Sequence, residues 1–196
     1  KIMKKAISTL VAVFSLLMTA NVNAADGLDL KISEQQNLVV NLQDVEDNAV
    51  LSLMDARGEV IFKDRFLNEK NYSKTLSFQN LPDGNYTLSL DKTFTISTSV
   101  IKKKGNELLV KHENYEFIFK PVFKTYGKKV LVYMANPTET TAEILIFDKA
   151  GEQIGQLKTK DLVLKKTFDF KTVPAGEYIV KVKYGEHVFE ETVKLG

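Results

Sequence analysis

The sequence predicts an all-β fold of two tandem antiparallel β-sandwiches after an N-terminal signal peptide, and three observations predict it. The phrases LPDGNYTLSL (Leu81–Leu90) and VPAGEYIVKV (Val173–Val182) are two versions of one Pro-x-Gly-x-Tyr turn and strand. They belong to a longer internal duplication. LSLMDARGEVI (Leu51–Ile61) answers ILIFDKAGEQI (Ile144–Ile154), and LVVNL (Leu38–Leu42) answers VLVYM (Val130–Met134), all in the same order at offsets of 92 or 93 residues. The third observation is periodicity. Tyr178, Val180, Val182 and Tyr184 alternate with Ile179, Lys181 and Lys183, and Tyr86, Leu88 and Leu90 with Thr87, Ser89 and Asp91. A period of two places apolar side chains on one face of a sheet, and no later stretch carries a sustained helical period with caps.

Taken in chain order, residues 1–24 read as a cleaved signal peptide. Lys4 and Lys5 follow Met3, an apolar run extends from Ala6 to about Ala20, and Val22-Asn23-Ala24 gives a small-x-Ala processing site before Ala25. The apolar run is short for a membrane span, so no transmembrane anchor is expected in the mature chain. Removing this segment takes away Lys1, Lys4 and Lys5 and no acid. From 27 basic and 25 acidic residues, that leaves a mature chain within one charge of neutrality. Such a balance offers no electrostatic footprint for nucleic acid. The chain has no cysteine, which excludes disulfides, thiol catalysis and Cys-ligated zinc.

Residues 25–103 form the first expected sandwich and 104–196 the second, with six to eight strands each. The boundary is placed at KKKGN (Lys102–Asn106), where charge and glycine interrupt the strand pattern, and the lysine run reads as a solvated linker. Glu107–Phe123 is expected to supply the leading strands of the second copy, opposite the shorter LDLKI (Leu28–Ile32). Within each copy, Asp55-x-x-Gly58 and Asp148-x-x-Gly151 signal a hairpin, with the carboxylate capping the turn and glycine taking the left-handed position. Pro82-x-Gly84-x-Tyr86 and Pro174-x-Gly176-x-Tyr178 carry the chain from one sheet to the other. Each tyrosine buries its ring and returns its hydroxyl to upstream backbone. This resembles the tyrosine corner of immunoglobulin-like and fibronectin type III-like sandwiches, so these ten residues are read as structural.

No catalytic, cofactor-binding or metal-binding constellation is expected, and no cofactor is. His112 and His187 lie in different copies among charged strand residues, without the i, i+4 spacing of a zinc pair. No G-x-S-x-G elbow, phosphate-cradling loop or EF-hand loop is present. Tryptophan is absent, and most tyrosines and phenylalanines fall on inward positions. Tyr126, in KTYGKK, and Tyr133 do not, which makes them the candidates for an exposed contact.

The residues of copy two also resemble the C-terminal sorting domains of the type IX secretion system of Bacteroidetes. Asp148, Gly151, Pro174, Gly176, Tyr178 and Lys181 occupy that family's positions over about fifty residues, with Asp55, Gly58, Pro82, Gly84 and Tyr86 a weaker version in copy one. The resemblance implies a small sandwich, export across the inner membrane and the secretion machinery as a partner. A duplicated unit cannot be the address twice, so copy one would have another role. The sequence thus leads to an exported, non-enzymatic binding or structural module of the periplasm, cell surface or exterior, with a protein or envelope component as partner. A sorting signal in copy two is the alternative, and an enzyme or inhibitor with its site at the domain joint the remote one.

Overall fold

The computed structural model describes residues 27–196; the expected signal peptide and its expected Ala24/Ala25 cleavage point lie outside the described residues. Strands and their connections account for the described chain, and no helix occurs in it. The first eight strands are β1 (Leu28–Ile32), β2 (Asn37–Gln43), β3 (Val50–Met54), β4 (Val60–Arg65), β5 (Asn71–Ser77), β6 (Gly84–Asp91), β7 (Thr95–Lys104) and β8 (Glu107–Phe119). The remainder are β9 (Val122–Tyr126), β10 (Lys129–Ala135), β11 (Ala142–Asp148), β12 (Gln153–Thr159), β13 (Val163–Asp169), β14 (Gly176–Tyr184) and β15 (His187–Leu195).

Four antiparallel sheets result. The orders β1-β2-β5 and β4-β3-β6-β7-β8 make the first sandwich, and β13-β10-β9 and β12-β11-β14-β15 the second. The connectivity is identical once β8 is set aside, so β1 to β7 correspond one by one to β9 to β15. In both units the fourth strand lies beside the third rather than beside the fifth. That is the fibronectin type III variant of the immunoglobulin-like sandwich. Each unit has its own core because alternate residues of the facing sheets point inward. Leu38, Val40, Leu51, Leu53, Leu88, Leu90 and Ile101 are at most 2% exposed in the first. Val130, Val132, Met134, Ile144, Val180, Val182 and Leu195 are buried to the same degree in the second. Each such side chain contributes roughly 1.5–3 kcal/mol of burial.

The expected boundary needs correction. KKKGN is no linker: Lys104 pairs with Glu107 across a two-residue Gly105-Asn106 turn, closing a β7–β8 hairpin. Gly105 has φ +59°, a left-handed conformation open to glycine at low cost. Glu107–Phe119 does not lead the second sandwich either. It pairs along β7 from Lys104↔Glu107 to Thr95↔Phe119, with residues 112–115 bulging against Ser99. Only its far end enters the other unit, where Ile118 is buried in the second core and Ile96 and Phe119 pack against it. The strand equivalent to β1 is β9 alone.

The lysine run is part of β7 and follows its alternation: Lys102 and Lys104 are exposed, while Lys103 is 9% exposed. Lys103 pairs with Gly84 as Leu195 pairs with Gly176, so the first unit carries a cation where the second has a core leucine. Its Nζ donates to Asp83 Oδ1 at 3.3 Å and to the Gly105 carbonyl at 2.8 Å, and Gly105 N donates to the same Asp83 oxygen at 2.9 Å. These bonds fasten the extra hairpin to the corner.

Two outcomes follow for stability. Leu88→Ala should destabilise the protein by about 2–5 kcal/mol in urea unfolding, the usual range for a buried leucine. The Gly105 amide and then Lys103 hold the Asp83 carboxyl below its ordinary value, and the Glu59 amide does the same for Asp55. A carboxyl depressed in the folded state stabilises it at pH above its unfolded value and stops doing so as pH falls through the folded one. Acid titration of Asp83→Asn should therefore show a shallower loss of stability below about pH 4 than the parent; an unchanged slope would contradict this.

Candidate functional site

The ten turn residues hold the same geometry in both units. Asp55 Oδ1 accepts from the amides of Arg57 at 2.8 Å and Glu59 at 2.9 Å, and Asp148 Oδ1 from those of Ala150 at 2.9 Å and Glu152 at 2.8 Å. Gly58 and Gly151 take φ of +81° and +83°. The Tyr86 hydroxyl donates to the Pro82 carbonyl at 2.5 Å and that of Tyr178 to Pro174 at 2.6 Å. Their rings meet Phe78 at 5.3 Å and Phe170 at 5.2 Å. Gly84 and Gly176 open β6 and β14 directly after these corners.

The histidines lie on different strands, β8 and β15. His112 is exposed in the β8 bulge. His187 begins β15, stacks on Phe189 at 6.2 Å, and sets Nε2 3.5 Å from Glu116 Oε2 of β8. Among the described residues, no group of three or more His, Cys, Asp or Glu side chains is placed to hold a metal ion. No helix among them is long and apolar enough to cross a membrane.

A shallow cleft of about 530 Å³ in the first unit lies between the 33–36 turn and the β7–β8 hairpin, lined by Gln35, Asn37, Gln79, Lys103 and Asn106 among others. Its cation is already committed to Asp83 and Gly105. The opposite situation holds on the outer face of the second unit's three-stranded sheet. Burial of Val130, Val132 and Met134 turns the alternate residues of β10, Lys129, Leu131, Tyr133 and Ala135, toward solvent. Cross-strand pairing sets Val122 and Lys165 on either side of Tyr133, Lys124 and Thr167 beside Leu131, and Tyr126 and Asp169 beside Lys129. Tyr126 is 61% exposed, Val163 52% and Tyr133 44%. Four residues of strand separate the Tyr126/Lys129 rung from the Tyr133 rung, about 13 Å.

Comparison with the first unit shows how far this face has diverged. Asn41 occupies the place of Tyr133, flanked by Asp29 and Ser73 where Tyr133 has Val122 and Lys165. There the three polar groups satisfy one another: Asn41 Nδ2 donates to Asp29 Oδ2 at 3.3 Å, and Ser73 Oγ to Asn41 Oδ1 at 2.7 Å. Lys31 completes the group with an ion pair to Asp29 at 2.8 Å. In the second unit the same positions present an aromatic ring, an aliphatic side chain and a lysine. Lys124, Lys129 and Lys165 form no ion pair among the described residues. Asp169, the one acid on this face, lies 3.9 Å from Lys171 and caps its amide.

Tyr126 and Tyr133, singled out from the sequence, thus share one face, at different rungs. The lysines and Val122, Leu131 and Val163 escaped that reading. Aligning the two copies position by position, Asn41 against Tyr133 and Ser73 against Lys165, was the signal available for them.

No protein-family model matches the chain, and neither does any curated protein. Among solved structures, the chain is similar to the BSP domain of a biofilm associated protein, at 13% identity over 81% of this chain and 27% of that one, with a TM-score of 0.29. It is also similar to the FN1–FN3 domains of chicken CNTN1, at 11% identity over 85% and 63%, TM-score 0.30. A third is the ligand-binding domain of human OSCAR, at 8% identity over 86% and 96%, TM-score 0.26. The strand order described above carries the fold assignment.

The divergence implies that the face is dispensable for folding. The triple variant Val122→Asp, Tyr133→Asn, Lys165→Ser installs the first unit's polar trio in the second. Surface changes of this kind usually stay within about 0.5 kcal/mol each, so its thermal midpoint should fall within a few degrees of the parent's. A collapse of the second unit's unfolding transition would show the face to be structural.

Proposed function

We propose that the chain is an exported, non-catalytic binding module whose contact surface is the outer face of β9, β10 and β13. One observation carries this reading: at equivalent positions of two duplicated units, a self-satisfied polar cluster stands in one and exposed Tyr133, half-buried Val122 and unpaired Lys165 in the other. The cross-strand Tyr133–Val122 pair adds only about 0.2–1 kcal/mol to the sheet and unpaired lysines add nothing; a partner supplies the fuller reason for them. Export rests on the basic and apolar pattern of residues 4–24, and the envelope or exterior is where the partner is sought.

The sorting-signal reading of the second unit rests on Asp148, Gly151, Pro174, Gly176, Tyr178 and Lys181. Five of these have first-unit counterparts, Asp55, Gly58, Pro82, Gly84 and Tyr86, which make the same turns. Sandwich construction therefore accounts for those five without an address. An enzymatic reading at the joint would draw on His187 and Glu116, 3.5 Å apart, and no third converging group supports it.

A photoreactive benzoylphenylalanine placed at Tyr133, in cells that make the protein, should form adducts on irradiation, while the same probe at Asn41 should form none. Equal labelling at the two positions, or none at Tyr133, would sink the proposed contact face.

A further inference from the structure

We infer that the ligand of this face is an acidic polysaccharide, a polymer bearing regularly spaced carboxylates, bound lengthwise across β9, β10 and β13. The inference rests on the contact face proposed above and names its ligand class.

Charge gives the first argument. Lys124, Lys129 and Lys165 are exposed and unpaired among the described residues, and the single acid of the face, Asp169, sits at its end beside Lys171. Three cations without an ion pair, of which only Lys129 has an acid (Asp169) as its cross-strand neighbour, on one face of a nearly neutral chain suit anions from outside. The lysines also interleave with apolar residues along the two edge strands: Lys124 falls between Val122 and Tyr126 on β9 and beside Leu131, and Lys165 follows Val163 on β13 and lies beside Tyr133. Protein–protein interfaces deplete lysine from their cores, because its ammonium must be desolvated there. A hydrated glycan leaves each ammonium wet on one side while a carboxylate approaches it.

The aromatic residues give the second argument. Tyr126 and Tyr133 lie on rungs about 13 Å apart along the strands. A tyrosine ring offers a flat apolar surface to the C–H face of a sugar ring and a hydroxyl at its edge. The site is a sheet face and not a cavity, so it suits a chain that runs past it more than a small molecule that needs enclosure.

Competing polyanions fit less well. Recognition of phosphate favours the planar fork of arginine, and residues 104–196 contain no arginine. Lying in a lipid surface buries a continuous apolar face about 5–10 Å deep, whereas here Lys124, Lys129 and Lys165 alternate with the apolar residues of the same sheet face.

The test uses the purified full chain in affinity gels containing polygalacturonate, its neutral methyl ester, single-stranded DNA, or no polymer. A sedimentation assay with anionic phospholipid vesicles runs in parallel. Polygalacturonate should retard the protein, and the methyl ester should not. The retardation should vanish as salt rises from about 0.05 to about 0.5 M, where screening becomes short-ranged. Tyr133→Ala should weaken binding about tenfold, the effect of losing one aromatic anchor. The triple variant Val122→Asp, Tyr133→Asn, Lys165→Ser should abolish it with its thermal midpoint retained. Equal retardation by polymer and methyl ester, by parent and triple variant, or none at all would overturn the inference. So would tighter binding to DNA or vesicles. If Tyr133 still forms photo-adducts in cells while polygalacturonate is not bound, the ligand class fails and the contact face stands; if neither occurs, both fail.

Discussion

The proposed contact face depends on a constraint set on the other side of its sheet. Val130, Val132 and Met134 of β10 are almost wholly buried against the facing sheet, and a strand has only two faces. Once those three point inward, Lys129, Leu131, Tyr133 and Ala135 must point outward, at fixed spacing and in fixed order. A one-residue slip would expose the core residues and bury a lysine and a tyrosine, a difference of many kilocalories per mole. The Tyr178 corner and the Asp148 turn act on the same requirement from a distance, since they fix how β14 and β11 lie over β10. The arrangement of the outer face is thereby set by packing on the other side of its sheet.

The duplication separates the two tasks inside one chain. Where the units agree, as at Asp55 and Asp148 or Tyr86 and Tyr178, the shared side chains close the same turns through the same hydrogen bonds. Where they disagree in a cluster, as at Asn41 and Tyr133, the same sheet order holds with either set. Asn41, Asp29 and Ser73 show what such a sheet face looks like when it only has to be soluble: its polar groups bond to one another. Tyr133, Val122 and Lys165 have no such arrangement.

Much of the fold was legible in the sequence because its signals are local. Alternation along Tyr86, Leu88 and Leu90 and the Asp-x-x-Gly turns needed only a few neighbouring residues. The error at KKKGN came from reading charge as solvent exposure. In a strand, alternate lysines take opposite faces, and Lys103 turns inward to meet Asp83, twenty residues earlier. Gly105-Asn106 was itself a hairpin signal, but the lysines before it masked the strand it closes. The site was less legible. Tyr126 and Tyr133 stood out because they had no inward slot, whereas Lys124 and Lys165 look like any surface lysine until strand pairing places them beside Leu131 and Tyr133. That pairing joins residues up to forty positions apart, and no local pattern encodes it.

Strand β8 has a mechanical consequence. It lies along β7 over nearly its whole length, starts at the hairpin turn, and ends with Ile118 inside the second core. Tension that separates the two sandwiches therefore pulls β8 lengthwise past β7. Antiparallel ladder bonds run perpendicular to the strands, so this load reaches many of them at once in shear instead of opening them one after another like a zipper. The joint is a lap seam, which resists separation of the two sandwiches along its whole length at once.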